Sequence, residues 1–197
     1  PWSSFLIRDY RLIWIAILCA NTSMHMRNVA SLYQVYQLSG SSVQLGLAGF
    51  FQAVPFIFFG LFGGVLADTY NRKKLILFTA AINLLPGLAL GLLTISGVVQ
   101  VWHINTLNVV TSSLQVLGGP ARQAIIPSLV PQSYLLNAVT LSTLMMQGTQ
   151  LTAPVFAGFL IDFFGLDASY IADALLLVPA ICCILLVRSS GQPQGAR

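Results

Sequence analysis

The chain has 197 residues, of which 56% are hydrophobic and only 7% are charged, and its formal net charge is +4. A soluble domain has about 25% charged residues, so this composition excludes an ordinary water-facing surface and indicates a membrane protein. The basic residues are scattered among apolar runs, which argues against nucleic acid as a partner, and the three cysteines lie inside apolar runs, which argues against a disulfide framework.

Six apolar segments are long enough to cross a bilayer, which takes about 20 residues. The sequence therefore predicts an all-α membrane protein whose helices span about 12–38, 43–67, 75–96, 101–119, 135–161 and 170–187. The predicted connections are short and rich in helix-breaking residues, including the three-proline stretch 120–132. Residues 1–188 are predicted to form one six-helix domain, and 189–197 the start of a central cytoplasmic linker. Because the chain begins with Pro1, a longer protein is one hypothesis and a natural six-helix protein is the other.

The distribution of basic residues predicts the orientation in the membrane. A cytoplasmic N-terminus places eight of the nine Lys and Arg residues on the cytoplasmic side and leaves Arg27 within the first helix. Both termini are then cytoplasmic, in a multi-pass protein of the plasma or inner membrane. In this arrangement Arg122 belongs to the cytoplasmic loop after the fourth helix.

Two segments of the chain repeat a short pattern. "GVLADTYN" at 64–71 and "GFLIDFFG" at 158–165 share G-x-L-x-D at an offset of 94 residues. The first copy ends the second predicted helix on the inner side, and the second copy ends the fifth on the outer side. The sequence therefore predicts a 3+3 inverted repeat, an arrangement found in secondary transporters.

The first of these segments resembles the signature of the major facilitator superfamily, G-x-L-a-D-r-x-G-r-[RK]. The positions that match are Gly64, Leu66, Asp68, Arg72 and Lys73, while Thr69 and Asn71 depart from it. Other segments, including "GPARQAIIPSLVP" (119–131) and "LLNAVTL" (135–141), are similar to the branch of siderophore and macrolide exporters. The superfamily has twelve helices in two halves, so the resemblance implies an N-terminal half whose partner is a C-terminal six-helix half.

The resemblance also implies roles for two motifs. In the family, the signature Asp docks against a helix end of the other half, so Asp68 would be a conformational latch and Arg72 would orient it; the alternative is a turn-capping Asp beside solvated bases. The fifth-helix antiporter signature is reduced here to "APVFAG" (153–158), in which Ala153 and Ala157 are small enough for close helix packing and Pro154 and Gly158 mark the close-packing segment.

Polar residues recur at helical spacing inside the predicted helices and should face a cavity or the bundle interior. The candidate cavity-lining residues are Asn21, His25, Asn28, Asn105, Asn108, Ser112 and Gln115. The fifth helix carries a similar stripe, Thr140, Thr143, Gln147 and Gln150. The alternative for each residue is an interhelical hydrogen bond, worth only about 0.6 kcal/mol in a membrane. A weakly polar cavity would suit amphipathic or bulky substrates.

Two ionisable residues lie within predicted helices, Arg27 in the first and Asp173 near the start of the sixth. An unpaired charge in the bilayer is costly, so we expect the two to pair or to share a water-filled pocket. The alternative is that Asp173 merely caps the sixth helix. Asp173 or His25 could also carry a coupled proton, unless the coupling acid lies in the other half.

These features predict a secondary transporter that exports drug-like or siderophore-like small molecules by alternating access, driven by a proton gradient and without a cofactor. An uptake permease or lipid flippase of the same fold is one alternative, and a non-transporting six-helix membrane interaction protein is another. Enzymatic function is not expected, because the sequence has no H-E-x-x-H, G-x-S-x-G or C-x-x-C motif and no phosphate-binding glycine loop.

Overall fold

A computed structural model describes residues 3–188 as a bundle of long helices, which confirms the all-α prediction. The six long helices are α1 (Arg8–Ser39), α2 (Ser42–Thr69), α3 (Arg72–Ile95), α4 (Val101–Leu129), α5 (Leu135–Phe164) and α6 (Leu166–Leu186). Short 3₁₀ turns at Ser3–Leu6 and Gln132–Tyr134 precede α1 and α5. The predicted linker at 189–197 lies outside the described residues.

Local chemistry explains where several helices begin and end. Gly40 ends α1 with φ of 60°, a left-handed conformation that glycine adopts without strain. Gly165, with φ of 93°, forms the whole link between α5 and α6. At the start of α3, the side chain of Asn71 accepts a hydrogen bond from the backbone N–H of Lys74 at 3.1 Å, which caps the helix.

The fourth helix is longer than predicted. The stretch 120–132 was expected to be a connection because of its prolines, but α4 continues through Pro120 and Pro127 to Leu129. Membrane helices tolerate proline because neighbouring groups satisfy the freed backbone atoms. Here Arg72 donates to the Ala124 carbonyl oxygen at 3.1 Å, close to Pro127. Likewise, α5 and α6 meet at Gly165 without the predicted loop of 162–169.

Four of the six helices are long and apolar enough to cross a membrane, namely α2, α3, α5 with its preceding turn, and α6. Six apolar spans were predicted, and four of the six helices have both the length and the hydropathy of a span. Helices α1 and α4 have 32 and 29 residues, ample for a span, but polar side chains lower their mean hydropathy. Those polar side chains face a shared interior, as described below. The chain is therefore a multi-pass integral membrane protein.

The packing of the bundle leaves α2 and α5 as its most open helices. Helix α1 packs on α5 and α6, α4 packs on α2 and α3, and α3 joins α6. Only 17% of the apolar window of α2 and 22% of that of α5 are buried, against 44% for α3. The contact between α2 and α4 is close at Gly63, where an added Cβ would lie 2.2 Å from the Val116 carbonyl oxygen.

Hydrogen bonds define the two ends of the bundle. At one end, Lys73 in the first turn of α3 donates to the Val187 carbonyl oxygen at 2.5 Å, just past the end of α6. At the other end, Gln34 of α1 donates to Thr94 of α3 at 2.9 Å and accepts from Tyr170 of α6 at 2.9 Å. The link between α2 and α3 and the link between α5 and α6 therefore lie at opposite ends.

Candidate functional site

The most buried charges of the described chain form an ion pair between α1 and α6. Arg27 Nε lies 2.6 Å from Asp173 Oδ2, and the two side chains are only 2% and 0% exposed. A second bond joins Arg27 Nη2 to Asp173 Oδ1 at 3.1 Å. Because α6 begins at Leu166, Asp173 lies two turns inside the helix rather than at its start. The alternative role of Asp173 as a helix cap is therefore wrong.

The ion pair is the centre of a network that ties four helices together. Arg27 also donates to Asn83 of α3, at 2.8 Å to its side-chain oxygen and 3.0 Å to its carbonyl, and to Thr111 of α4 at 3.1 Å. Ser23 donates to Asp173 Oδ1, which also accepts from Arg27 Nη2. All five guanidinium N–H groups are thus bonded, which is the condition under which a buried charge is tolerated.

A glycine on α3 provides the space for this network. A Cβ added at Gly87 would lie 2.6 Å from Asp173 Oδ2 and 3.2 Å from Arg27 Nη2. We therefore expect Gly87→Ala to displace the carboxylate and to lower the free energy of unfolding of the full-length protein by roughly 1–3 kcal/mol. Denaturant titration in detergent micelles measures this change.

Gly91, one turn further along α3, is the matched control. A Cβ there would lie 3.5 Å from the Ile171 and Tyr170 side chains, an ordinary contact distance. Gly91→Ala should leave stability unchanged or slightly higher, because Ala is the better helix former. Equal effects of the two substitutions would show that space beside the ion pair is not what Gly87 provides.

A polar cavity of about 230 Å³ opens beside the ion pair, between α1, α2 and α4. Five of the predicted cavity residues line it: His25, Asn28, Asn108, Ser112 and Gln115. The remaining lining residues are Met24, Arg27, Gln52, Phe56 and Thr111. The cavity walls thus combine amides and hydroxyls with one thioether, one phenyl ring, one imidazole and one guanidinium.

A second cavity of about 320 Å³ adjoins the first and reaches α5. The two share Met24, Phe56 and Gln115, and the predicted residue Asn21 lines the second. Asn105 was predicted in the same stripe but lines neither cavity. It lies buried one turn from Asn108, and its side-chain oxygen has no hydrogen-bond partner among the described residues.

The fifth helix presents its polar stripe outward. The stripe residues Thr140, Thr143, Gln147 and Gln150 are all exposed. Close packing falls on Ala153 and Ala157, which are 0% exposed and pack with Met26 of α1. These are the two alanines that the sequence suggested for close packing, whereas an added Cβ at Gly158 would meet nothing within 4 Å and Pro154 is only partly buried.

The signature turn between α2 and α3 keeps its acidic residue free of the bundle. Asp68 is exposed, and an added Cβ at Gly64, one turn before it, would meet nothing within 4 Å. Arg72 donates to the carbonyl oxygens of Ala67 and Ala124, at 3.4 and 3.1 Å. The expectation that Arg72 orients Asp68 is therefore not met, because the Arg72 guanidinium donates its hydrogen bonds to these carbonyl oxygens and not to Asp68.

Some residues of the site were not singled out in the sequence. Asn83 is an isolated amide in the apolar α3, and Gly87 follows it by one turn. Together they mark a polar contact of α3, although the helix is otherwise apolar. Thr111 lies three residues after Asn108 and so extends the α4 stripe. Phe56 on α2 carries no sequence signal beyond its size.

Long membrane helices around a polar cavity, tied by a buried ion pair, define a multi-pass membrane protein. The chain matches the family described as transmembrane secretion effectors over residues 1–196. It belongs to that family, whose members are major facilitator transporters of the efflux type. The resemblance to the superfamily and its exporter branch is thereby confirmed.

Several curated proteins are similar to the chain. Macrolide efflux protein A of Streptococcus pyogenes is 24% identical over 176 residues, covering 89% of this chain and 44% of the relative. The multi-drug resistance efflux pump PmrA of Streptococcus pneumoniae is 32% identical over 151 residues, covering 75% and 36%. The enterobactin exporter EntS of Salmonella choleraesuis is 27% identical over 190 residues, covering 94% and 45%. The chain thus spans less than half the length of these relatives. No solved structure matches it significantly.

Proposed function

We propose that the chain is the N-terminal half of a twelve-helix secondary transporter that exports small molecules by alternating access, driven by a proton gradient. The polar cavity between α1, α2 and α4 carries this proposal, because a water-accessible cavity of this kind among membrane helices is where transporters bind substrate. The partner is a C-terminal six-helix half, and both termini face the cytoplasm of a plasma or inner membrane.

The environments of two glycines support the 3+3 inverted repeat. The offset of 94 residues relates Gly63 to Ala157 and Gly64 to Gly158. Gly63 and Ala157 both pack closely, on α4 and α1 respectively, whereas the next position in each copy faces open space. In an inverted repeat, α1 corresponds to α4 and α2 corresponds to α5. The helix pair α2–α4 then corresponds to the pair α5–α1, and the helices of both pairs pack on each other.

The open faces of α2 and α5 support the presence of a second half. In the exposed α5 stripe, the hydroxyls of Thr140 and Thr143 bond carbonyl oxygens of α5 itself. The amides of Gln147 and Gln150 are exposed on an apolar helix, a costly arrangement if lipid covered them. A facing half or a wet path between the halves would satisfy them. Asp68 and Gly64 lie near the C-terminal end of α2, on the side of the helix that none of the other described helices covers. This exposure would allow the Asp68 carboxylate to dock on a helix N-terminus of the other half.

Two acid–base groups of this chain are candidates for carrying the proton. His25 lines the cavity, whereas Asp173 is fully buried and engaged by both Arg27 and Ser23. Of the two, His25 has the contact with the cavity that proton exchange requires, so within this half we assign it the role.

The relatives support export of drug-like or siderophore-like molecules, since their names include macrolide efflux and enterobactin export. An uptake permease or a lipid flippase of the same fold remains the alternative within transport, and a non-transporting membrane partner is the alternative outside it. The polar cavity favours transport over the last of these.

Accumulation of labelled drugs in a pump-deficient bacterium tests the proposal. Cells that express the full-length protein should accumulate less of at least one macrolide or siderophore probe than cells with empty vector. A protonophore should abolish the difference. Higher accumulation with the protein would indicate uptake, and no difference for any probe across a broad panel would contradict transport of these classes.

A further inference from the structure

Arg122 occupies a position in the bundle that the sequence did not indicate. It was expected in the cytoplasmic loop after the fourth helix, but it lies within α4, seven residues before the helix ends at Leu129. At 1.5 Å per residue this is about 10 Å inside the helix end. The side chain is only partly exposed and contributes to the walls of two cavities.

The guanidinium of Arg122 has no counter-ion among the described residues. Within residues 3–188, no hydrogen bond or ion pair is formed by its side chain. Arg27 offers the contrast, because its five N–H groups are all bonded by α3, α4 and α6. A cation between membrane helices is costly unless an anion or water meets it. Arg122 is thus a cationic group of the cavity wall that is available to a ligand.

The larger of its two cavities, of about 320 Å³, combines this charge with an apolar surface. Flexible or aromatic side chains form much of the wall, among them Ile17, Met24, Phe56, Met145 and Met146. Asn21, Gln115 and Gln123 add amide groups near the charge. Methionine side chains adapt to varied apolar shapes, while a guanidinium selects carboxylate and related anions through paired hydrogen bonds.

We propose that this cavity binds amphipathic organic anions and that Arg122 holds their anionic group. The apolar body of the ligand lies against the methionine and phenylalanine side chains, and the amides accept or donate further hydrogen bonds. The proposal rests on the proposed transport function, whose substrate class it specifies. No acidic side chain lines this cavity, so the described half offers a cationic ligand no matching group.

Equilibrium binding to the purified full-length protein in detergent tests the proposal. The probes are 1-pyrenebutyrate and its uncharged amide, which share one apolar body and differ in charge. The wild type should bind the anion about 10-fold more tightly than the amide, the gain that 1.4 kcal/mol from a charge-assisted contact provides. Arg122→Gln should reduce this ratio to about 1, whereas Arg122→Lys should retain most of it.

Arg11→Gln is the matched control, since Arg11 is an exposed arginine near the same end of the bundle. It should leave the ratio unchanged, which separates binding at Arg122 from attraction to the overall positive charge. A wild-type ratio near 1, or a ratio that survives Arg122→Gln, would overturn the proposal. So would a loss of stability in Arg122→Gln with an unchanged ratio, because Arg122 would then pair with an acid elsewhere in the protein.

This binding experiment needs no ion gradient and no vesicles. An anion preference that depends on Arg122 would therefore stand even if the accumulation experiment failed, and only export would be lost. Conversely, gradient-dependent export with no preference for the anion would leave the proposed function intact and overturn the ligand class alone.

Discussion

Replacing Asp173 with Asn should lower the free energy of unfolding of the full-length protein by about 3–5 kcal/mol. The substitution preserves shape but leaves the Arg27 guanidinium, 2% exposed, without its anion. The bonds from Arg27 to Asn83 and Thr111 remain but carry no negative charge. Denaturant titration in mixed micelles, followed by tryptophan fluorescence, measures the change.

A double variant separates the ion pair from the shape of the site. Arg27→Met with Asp173→Asn removes both charges, so we expect it to recover at least half of the stability that Asp173→Asn loses. Asp162→Asn, at an exposed position near the end of α5, is the control and should have little effect. If the double variant is no more stable than Asp173→Asn, the two residues are not energetically coupled, and the ion pair does not hold these four helices together.

Replacing Asp68 with Ala should reduce export by the full-length protein about 10-fold. The physical reason is the loss of a carboxylate that stabilises one conformation by docking at a helix N-terminus, an interaction worth up to ~2 kcal/mol when partly buried. Within residues 3–188 Asp68 is exposed and its side of α2 is open at Gly64, so no contact among these residues explains such a loss. Efflux of a preloaded macrolide or siderophore probe, normalised to the amount of protein in the membrane, measures it.

The repeat supplies a matched control for this substitution. Asp162 occupies the position equivalent to Asp68 at the offset of 94 residues, but at the other end of the bundle. Asp162→Ala should retain most of the export activity, and Asp68→Asn should behave like Asp68→Ala because it also lacks the charge. Normal efflux by Asp68→Ala would remove the latch role and leave Asp68 as a turn residue.

The sequence predicted the helix order and much of the cavity, because both depend on local patterns. Apolar runs of about 20 residues mark spans, and polar residues spaced by three or four positions mark a shared helix face. Asn28, Asn108 and Ser112, which follow this pattern, line one cavity. It failed for Asn105, which shares the spacing but lies at a level where the helices are closely packed and the side chain is buried.

What the sequence could not predict depends on contacts between distant helices. The fourth helix continues past Pro120 and Pro127, and near its end the Ala124 carbonyl oxygen bonds Arg72 of α3, a contact made across 52 residues of chain. That extension is what places Arg122 beside a cavity rather than in a loop. Likewise, the open space beside Gly158 follows from the rotation of α5 against α1, which no local pattern specifies.

The proposal that this chain is one half of an alternating-access transporter, built from inverted triplets of helices, is tested most directly by cysteine labelling. The labelling determines whether the α2–α3 link and the α5–α6 link lie on opposite sides of the membrane. In full-length protein with Cys19, Cys182 and Cys183 replaced by Ala, single cysteines would be introduced as Tyr70→Cys and Phe164→Cys, at exposed positions beside the two links. In intact cells, a membrane-impermeant maleimide should label Phe164→Cys, and it should label Tyr70→Cys only after permeabilisation. Labelling of both cysteines from the same side would contradict the inverted arrangement and the transport mechanism that depends on it.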